Sequence, residues 1–135
     1  DTGVPHLSSK IHELVFAGKN YSKNFPYIME MKEIAELMAG HIEDEFLMGR
    51  CIERTGELQA KLHSSIETEA MRALKRKAIG LFLGAKITGA GQGGCMIFYT
   101  RNKQGLIECL SNNPITGTSI VQFEFDYEGI KIQQL

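Results

Sequence analysis

Several features that would assign this chain to a special class are scarce or missing. Cysteine is scarce: Cys51, Cys95 and Cys109 are odd in number, and none lies in a CxxC pair. A disulfide framework or a zinc site would need a different pattern, so free thiols in a reducing, cytoplasmic compartment are expected. An excess of one charge is also missing, since 15 Lys and Arg meet 16 Asp and Glu. A net charge of −1 leaves no surplus for neutralising phosphates, which argues against a nucleic-acid partner. No apolar run approaches the roughly 20 residues of a membrane span. Internal repeats, low-complexity tracts and a charged-then-apolar leader are absent too. What is present is 135 residues of ordinary globular composition, 43% hydrophobic and 23% charged. That is enough for one domain with one core, or for part of a larger protein.

The first half reads as helix. Ser8 or Ser9 is placed to cap a helix reaching about Lys19, with Ile11, Leu14 and Val15 on one face. Gly18, Asn20 and Ser22 then suggest a looser stretch, and Pro26 suits the first turn of a second helix. Ile28, Met31, Ala35, Met38 and Ile42 make its apolar stripe. Gly40 and Gly49 each cost a helix about 1 kcal/mol relative to Ala, which suggests a bend or break. Leu58, Leu62, Ile66, Ala70 and Leu74 follow at strict i+4 spacing, as on one helix ending near Gly80.

The texture changes at Ala85. Strands are expected near 85–89, 95–100, 119–126 and 129–134, with Tyr127-Glu128-Gly129 as a hairpin turn. Leu106, Ile107 and Leu110 suit a short helix that stops at Asn112-Asn113-Pro114. The expected fold is α+β, with helices packed on one face of a mainly antiparallel four-stranded sheet.

The most informative stretch is Lys86-Ile87-Thr88-Gly89-Ala90-Gly91-Gln92-Gly93-Gly94-Cys95. Four glycines in six residues are costly in backbone entropy and imply positive φ or close approach to another group. Successive N–H groups in such a loop can form a nest for an anion, although a tight structural turn would use the same residues. Gly89, Gly91 and Gly94 satisfy GxGxxG, but a dinucleotide site also needs a helix to begin there, and Cys95 to Tyr99 reads as a strand. The Gly-Lys-Ser/Thr of a Walker A loop is missing as well.

That stretch resembles the third conserved motif of the GHMP small-molecule kinases, and most of all its form in mevalonate kinases, Lys-Leu/Ile-Thr-Gly-Ala-Gly-Gly-Gly-Gly-Cys. Gln92 replaces one glycine. Asp1-Thr2-Gly3-Val4-Pro5, followed by Ser8-Ser9-Lys10, is similar to the segment that opens the C-terminal half of mevalonate kinases, with one extra residue. Heptose-phosphate and fucose kinases carry a similar Thr-Gly segment and a Phe-x-Phe ending like Phe123-Glu124-Phe125. The Leu-Gly-Val-Ser stretch of mevalonate kinases has no recognisable counterpart around Leu58 to Ser65.

The resemblance spans residues 1–135 and implies a GHMP kinase C-terminal domain of ferredoxin-like fold. It implies ATP and Mg²⁺, bound mainly by an N-terminal kinase domain that this chain lacks: Pro5, Pro26 and Pro114 are the only prolines, and none begins the family's Pro-x-Gly-x-Gly-Leu-Gly-Ser-Ser loop. The family's catalytic aspartate and lysine belong to that domain too, so no catalytic residue is expected here. Thr88, Gly89, Ala90, Gly91, Gln92, Gly93, Gly94 and Cys95 would lie beside the phosphate loop, and Thr2, Gly3, Ser8, Ser9 and Lys10 on the substrate side. The implied activity is ATP-dependent phosphorylation of a small-molecule hydroxyl, foremost that of mevalonate for isoprenoid precursor synthesis. A sugar or sugar-phosphate acceptor of the heptose-phosphate, fucose or galactose type is the alternative, as is a non-catalytic binding or regulatory module that kept the fold. A fragment that is inactive alone, with the N-terminal kinase domain, a small-molecule substrate and a homodimer mate as partners, is the expectation. A Cβ at Gly91 or Gly93 is then expected to harm catalysis more than folding.

Other residues carry blander readings. His6, His12, His41 and His63 have no metal-ligand spacing, so no metal site is expected. His41 to Glu45 reads as a charged outer helix face, and Arg72, Lys75, Arg76 and Lys77 as a solvated helix end. Cys95 reads as a small buried residue with no base nearby in sequence.

Overall fold

The computed structural model describes residues 1–3 and 8–124. Its elements are α1 (Ser8–Phe16), α2 (Lys19–Gly40), α3 (Glu45–Leu62), α4 (Glu69–Lys77), β1 (Gly84–Ile87), β2 (Met96–Tyr99) and α5 (Lys103–Ser111). The class is α+β. Among the described residues the sheet has two antiparallel strands, with Gly84 opposite Tyr99 and Ile87 opposite Met96.

Four strands were expected, and that is corrected here. Residues 119–124 are not in a strand, while 125–135, with the Tyr127 turn and the 129–134 strand, lie outside the described residues. Alternation in Val121-Gln122-Phe123-Glu124 marks two faces but cannot supply a neighbour to pair with. One group on the outer edge of β1 is already taken, because Ala85 N–H donates to Glu53 Oε2 at 2.7 Å. Lys75 pairs with the other oxygen of that carboxylate at 2.9 Å.

The helices depart from the sequence pattern where side chains override propensity. α2 begins at Lys19, so Pro26 lies inside it and not in its first turn. Asn20, one of the residues that suggested a loose stretch, instead ties α2 to α1, and so does Asn24. Asn20 Nδ2 donates to Leu14 O (2.8 Å) and Asn24 Nδ2 to Val15 O (3.0 Å). These bonds satisfy carbonyls at the end of α1 that would otherwise lack a partner. The buried face of α2 is Tyr27, Met31, Ile34 and Met38 against Cys51 and Leu58 of α3. Ala35 and Ile42 of the expected stripe are exposed.

Gly40 ends α2, and His41 to Asp44 form the turn to α3 instead of a helix face. Asp44 Oδ1 accepts from Leu47 N–H at 2.9 Å, capping α3. Asp44→Ala is expected to cost about 1 kcal/mol, read as a lower melting temperature with Asp44→Ser largely retaining it.

The i+4 stripe from Leu58 to Leu74 spans two helices. α3 stops at Leu62, and Thr68 Oγ1 caps α4 by accepting from Met71 N–H. Ile66 lies in the intervening turn yet is 3% exposed, in a core with Ile11, Val15, Met71 and Ile87. The basic residues of α4 are all engaged. Arg72 and Arg76 hold Glu69, Lys75 holds Glu53, and Lys77 donates to the carbonyls of Asn112 and Asn113 after α5. The hydrogen bonds from Arg76 and Arg72 keep the Glu69 carboxyl below its usual range. α5 and its end before Pro114 match the sequence reading.

Candidate functional site

The glycine loop, residues 88–95, joins β1 to β2. No helix starts in it, in keeping with rejection of the dinucleotide reading. Gly89 (φ 68°), Gly91 (83°), Gly93 (142°) and Gly94 (72°) all take positive φ, and so does Gln92 (65°). The glycines therefore answer to backbone geometry, because L side chains strain there.

Three anchors fix the loop. Thr88 closes its base, with both its N–H (3.0 Å) and Oγ1 (2.9 Å) donating to Cys95 O. Gln92 N–H donates to Ile66 O in the α3–α4 turn at 2.8 Å. Thr2 N–H donates to Gly94 O at 2.9 Å. Ala90 packs on the core formed by Ile11, Val15, Ile66, Met71 and Ile87. The N–H groups of Gly89, Ala90, Gly91, Gly93 and Gly94 donate no hydrogen bond among the described residues. Gly91 and Gly93 are buried, whereas Gly89 is exposed and Ala90 and Gly94 are half-buried. Backbone donors in a folded interior nearly always find an acceptor, so the unused amides at Gly91 and Gly93 are a distinctive property of the loop. Such a run suits an anion.

The structure brings together some of the expected site residues. Thr2, 3% exposed, is joined to the loop through Gly94, and its buried Oγ1 has no hydrogen-bond partner among the described residues. Gly3 has φ 64°, and a Cβ there would lie 2.6 Å from Gly117 O. Ser8 opens α1. Ser9 and Lys10 are exposed in the first turn and make no hydrogen bond or ion pair to the loop. Cys95 is half-buried and its carbonyl, not its thiol, is the working group. Among the described residues no three His, Cys, Asp or Glu converge as metal ligands.

Two expectations about the loop change or sharpen. Gly91 is also a packing residue, because its Cβ would lie 2.6 Å from Ile66 Cγ2 and 2.7 Å from Ile66 O. Gly91→Ala therefore strikes folding as well. Gln92→Gly removes positive-φ strain of about 1–2 kcal/mol, offset by about 0.5–1 kcal/mol of added chain entropy. A melting temperature within a few degrees of the parent is expected.

Sequence reasoning missed the turn beneath the loop. His63 Nδ1 accepts from Ser65 N–H at 3.2 Å and lies 2.7 Å from Ser65 Oγ. That arrangement shapes residues 63–66 and presents the Ile66 carbonyl. No spacing rule marks it, since Ile66 fits a helical stripe equally well. Comparison with family models, curated proteins and solved structures finds no match to this chain. No helix among the described residues is long and apolar enough to cross a membrane.

Proposed function

We propose that this chain is the C-terminal domain of an ATP-dependent GHMP-type kinase that phosphorylates a hydroxyl of a small molecule, with mevalonate the leading acceptor. The reading is supported chiefly by the run of unused amides at Gly89, Ala90, Gly91, Gly93 and Gly94. Phosphoryl transfer needs positioned donors more than covalent chemistry. Backbone N–H groups serve that need without a titrating side chain. A partner kinase domain would supply the main nucleotide loop, the Mg²⁺ ligands and the catalytic side chains. The Thr2–Gly94 hydrogen bond joins the two segments proposed for the substrate side and the phosphate side, which supports this reading.

A sugar or sugar-phosphate acceptor is the second reading, favoured by one observation. Gly3 takes positive φ where a Cβ would meet Gly117 O, which suits the Thr-Gly form of the segment seen in the sugar kinases.

The test is ADP release by the full reading frame containing this chain, with ATP, Mg²⁺ and either mevalonate or a heptose phosphate. Turnover on one acceptor, with none by the 135-residue chain alone, is expected. Turnover by this chain alone would remove the need for a partner domain. A full reading frame that turns over none of these acceptors would defeat the kinase reading.

A further inference from the structure

The two edges of the sheet are treated differently. Thr88 N–H donates to Cys95 O, and Lys86 and Gly84 stand opposite Ile97 and Tyr99, so these odd-numbered residues of β2 bond toward β1. The amides and carbonyls of Met96 and Phe98 therefore point to the outer edge of β2. On β1 the corresponding outward group, Ala85 N–H, is taken by Glu53. Met96 and Phe98 make no such bond among the described residues. Open edges are ordinarily blunted by lysine, proline or a bulge, yet Met96-Ile97-Phe98-Tyr99 carries no charge and no proline.

That edge is engaged at one end only. Thr2 N–H donates to Gly94 O at 2.9 Å, and Gly94 falls in the same outward set as Met96 and Phe98. Asp1 bonds the opposite way. Its N donates to Ser119 O at 2.9 Å, and its O accepts from Ser119 N–H at 3.0 Å. Reciprocal bonds of this kind mark an antiparallel pair, and the close approach of Gly3 to Gly117 O continues it. Successive residues that bond to opposite neighbours follow the pattern of a central strand. Asp1 and Thr2 thus look like the end of one, set between β2 and the chain around Ser119.

We propose that the polypeptide leading into Asp1 in the full reading frame is an extended strand that pairs antiparallel with the outer edge of β2. In register with Thr2 and Gly94, the first and third residues before Asp1 lie opposite Met96 and Phe98. The second lies opposite Val121, which is 53% exposed and makes no backbone hydrogen bond among the described residues. The parallel direction would instead run beside Gln92, where positive φ at Gly91, Gln92 and Gly93 offers no ladder. Through Thr2 the strand ties an upstream domain to the end of the glycine loop. It rests on the proposal that such a domain exists, and not on phosphoryl transfer.

The experiment is amide hydrogen exchange, resolved to single residues, on the full reading frame and on the 135-residue chain. The Met96 and Phe98 amides are expected to exchange about 100-fold or more slowly in the full reading frame than in the shorter chain. Val121→Pro tests the far side of the strand, because proline removes one ladder bond. Its melting temperature should fall by several degrees in the full reading frame and hardly move in the 135-residue chain. Free exchange at Met96 and Phe98 in the full reading frame, or an equal effect of Val121→Pro in both proteins, would overturn the proposal. Protection in the shorter chain that grows with concentration would assign the edge to a second copy and overturn it too. Each readout is independent of turnover, so the strand and the kinase reading can fail separately.

Discussion

Gly84→Ala is expected to destabilise the protein by about 3 kcal/mol or more, a large part of the roughly 5–15 kcal/mol that holds a domain together. Gly84 opens β1 where the strand crosses α3 backbone to backbone. A Cβ there would overlap the Gly49 carbonyl and lie 2.9 Å from Glu53 N. The opposing Gly49 is equally committed, since its Cβ would overlap Leu83 Cβ and lie 3.0 Å from Leu83 O. These are backbone neighbours of a helix and a strand, so neither can move aside as a flexible side chain would. A drop in melting temperature on the order of 10 °C or more follows. Gly40→Ala is the control, because nothing lies within 4 Å of its Cβ position and alanine favours a helix by about 1 kcal/mol. Equal melting of the Gly84→Ala protein and its parent would mean that α3 and β1 are not in backbone contact.

The second large effect separates two glycines of the loop by activity. Gly89 has φ 68° and open space where a Cβ would go, whereas the Cβ of Gly91 would strike Ile66. Gly89→Ala should therefore cost folding only the positive-φ strain of about 1–2 kcal/mol. If its N–H serves phosphate, the loss of one well-placed donor costs about 2.7–4 kcal/mol of transition-state stabilisation. On the proposed kinase reading, a fall of about 100-fold in kcat/KM is expected for the full reading frame. Gly91→Ala should lower the melting temperature as well, because it forces the loop off the Ile66 carbonyl that accepts from Gln92. Normal activity per folded molecule in Gly89→Ala would reduce the loop to a structural turn.

The sequence by itself determined the α+β class, the C-terminal end of α5, the break in texture at Ala85 and the loop flanked by two strands. Each rests on local information: glycines that demand positive φ, an apolar β-prone run, and an Asn-Asn-Pro stop. It also pointed to the glycine loop as the place where unusual chemistry would sit. Only the tertiary structure decided which face of α2 is buried, that Pro26 stands within a helix, and that the stripe from Leu58 to Leu74 breaks at His63 to Thr68. In each case tertiary structure outweighed a local preference, worth about 1 kcal/mol or less for most residues and about 3 kcal/mol for a proline inside a helix. Asn20 and Asn24 reach back to α1, and Ile66 leaves the helix to hold Gln92. Tertiary structure also turned Gly49 and Gly84 from weak points of a helix and a strand into the surface where the two meet. A glycine's cost is local and can be read along the chain, but its benefit is the approach of a backbone many residues away, and no periodicity encodes that.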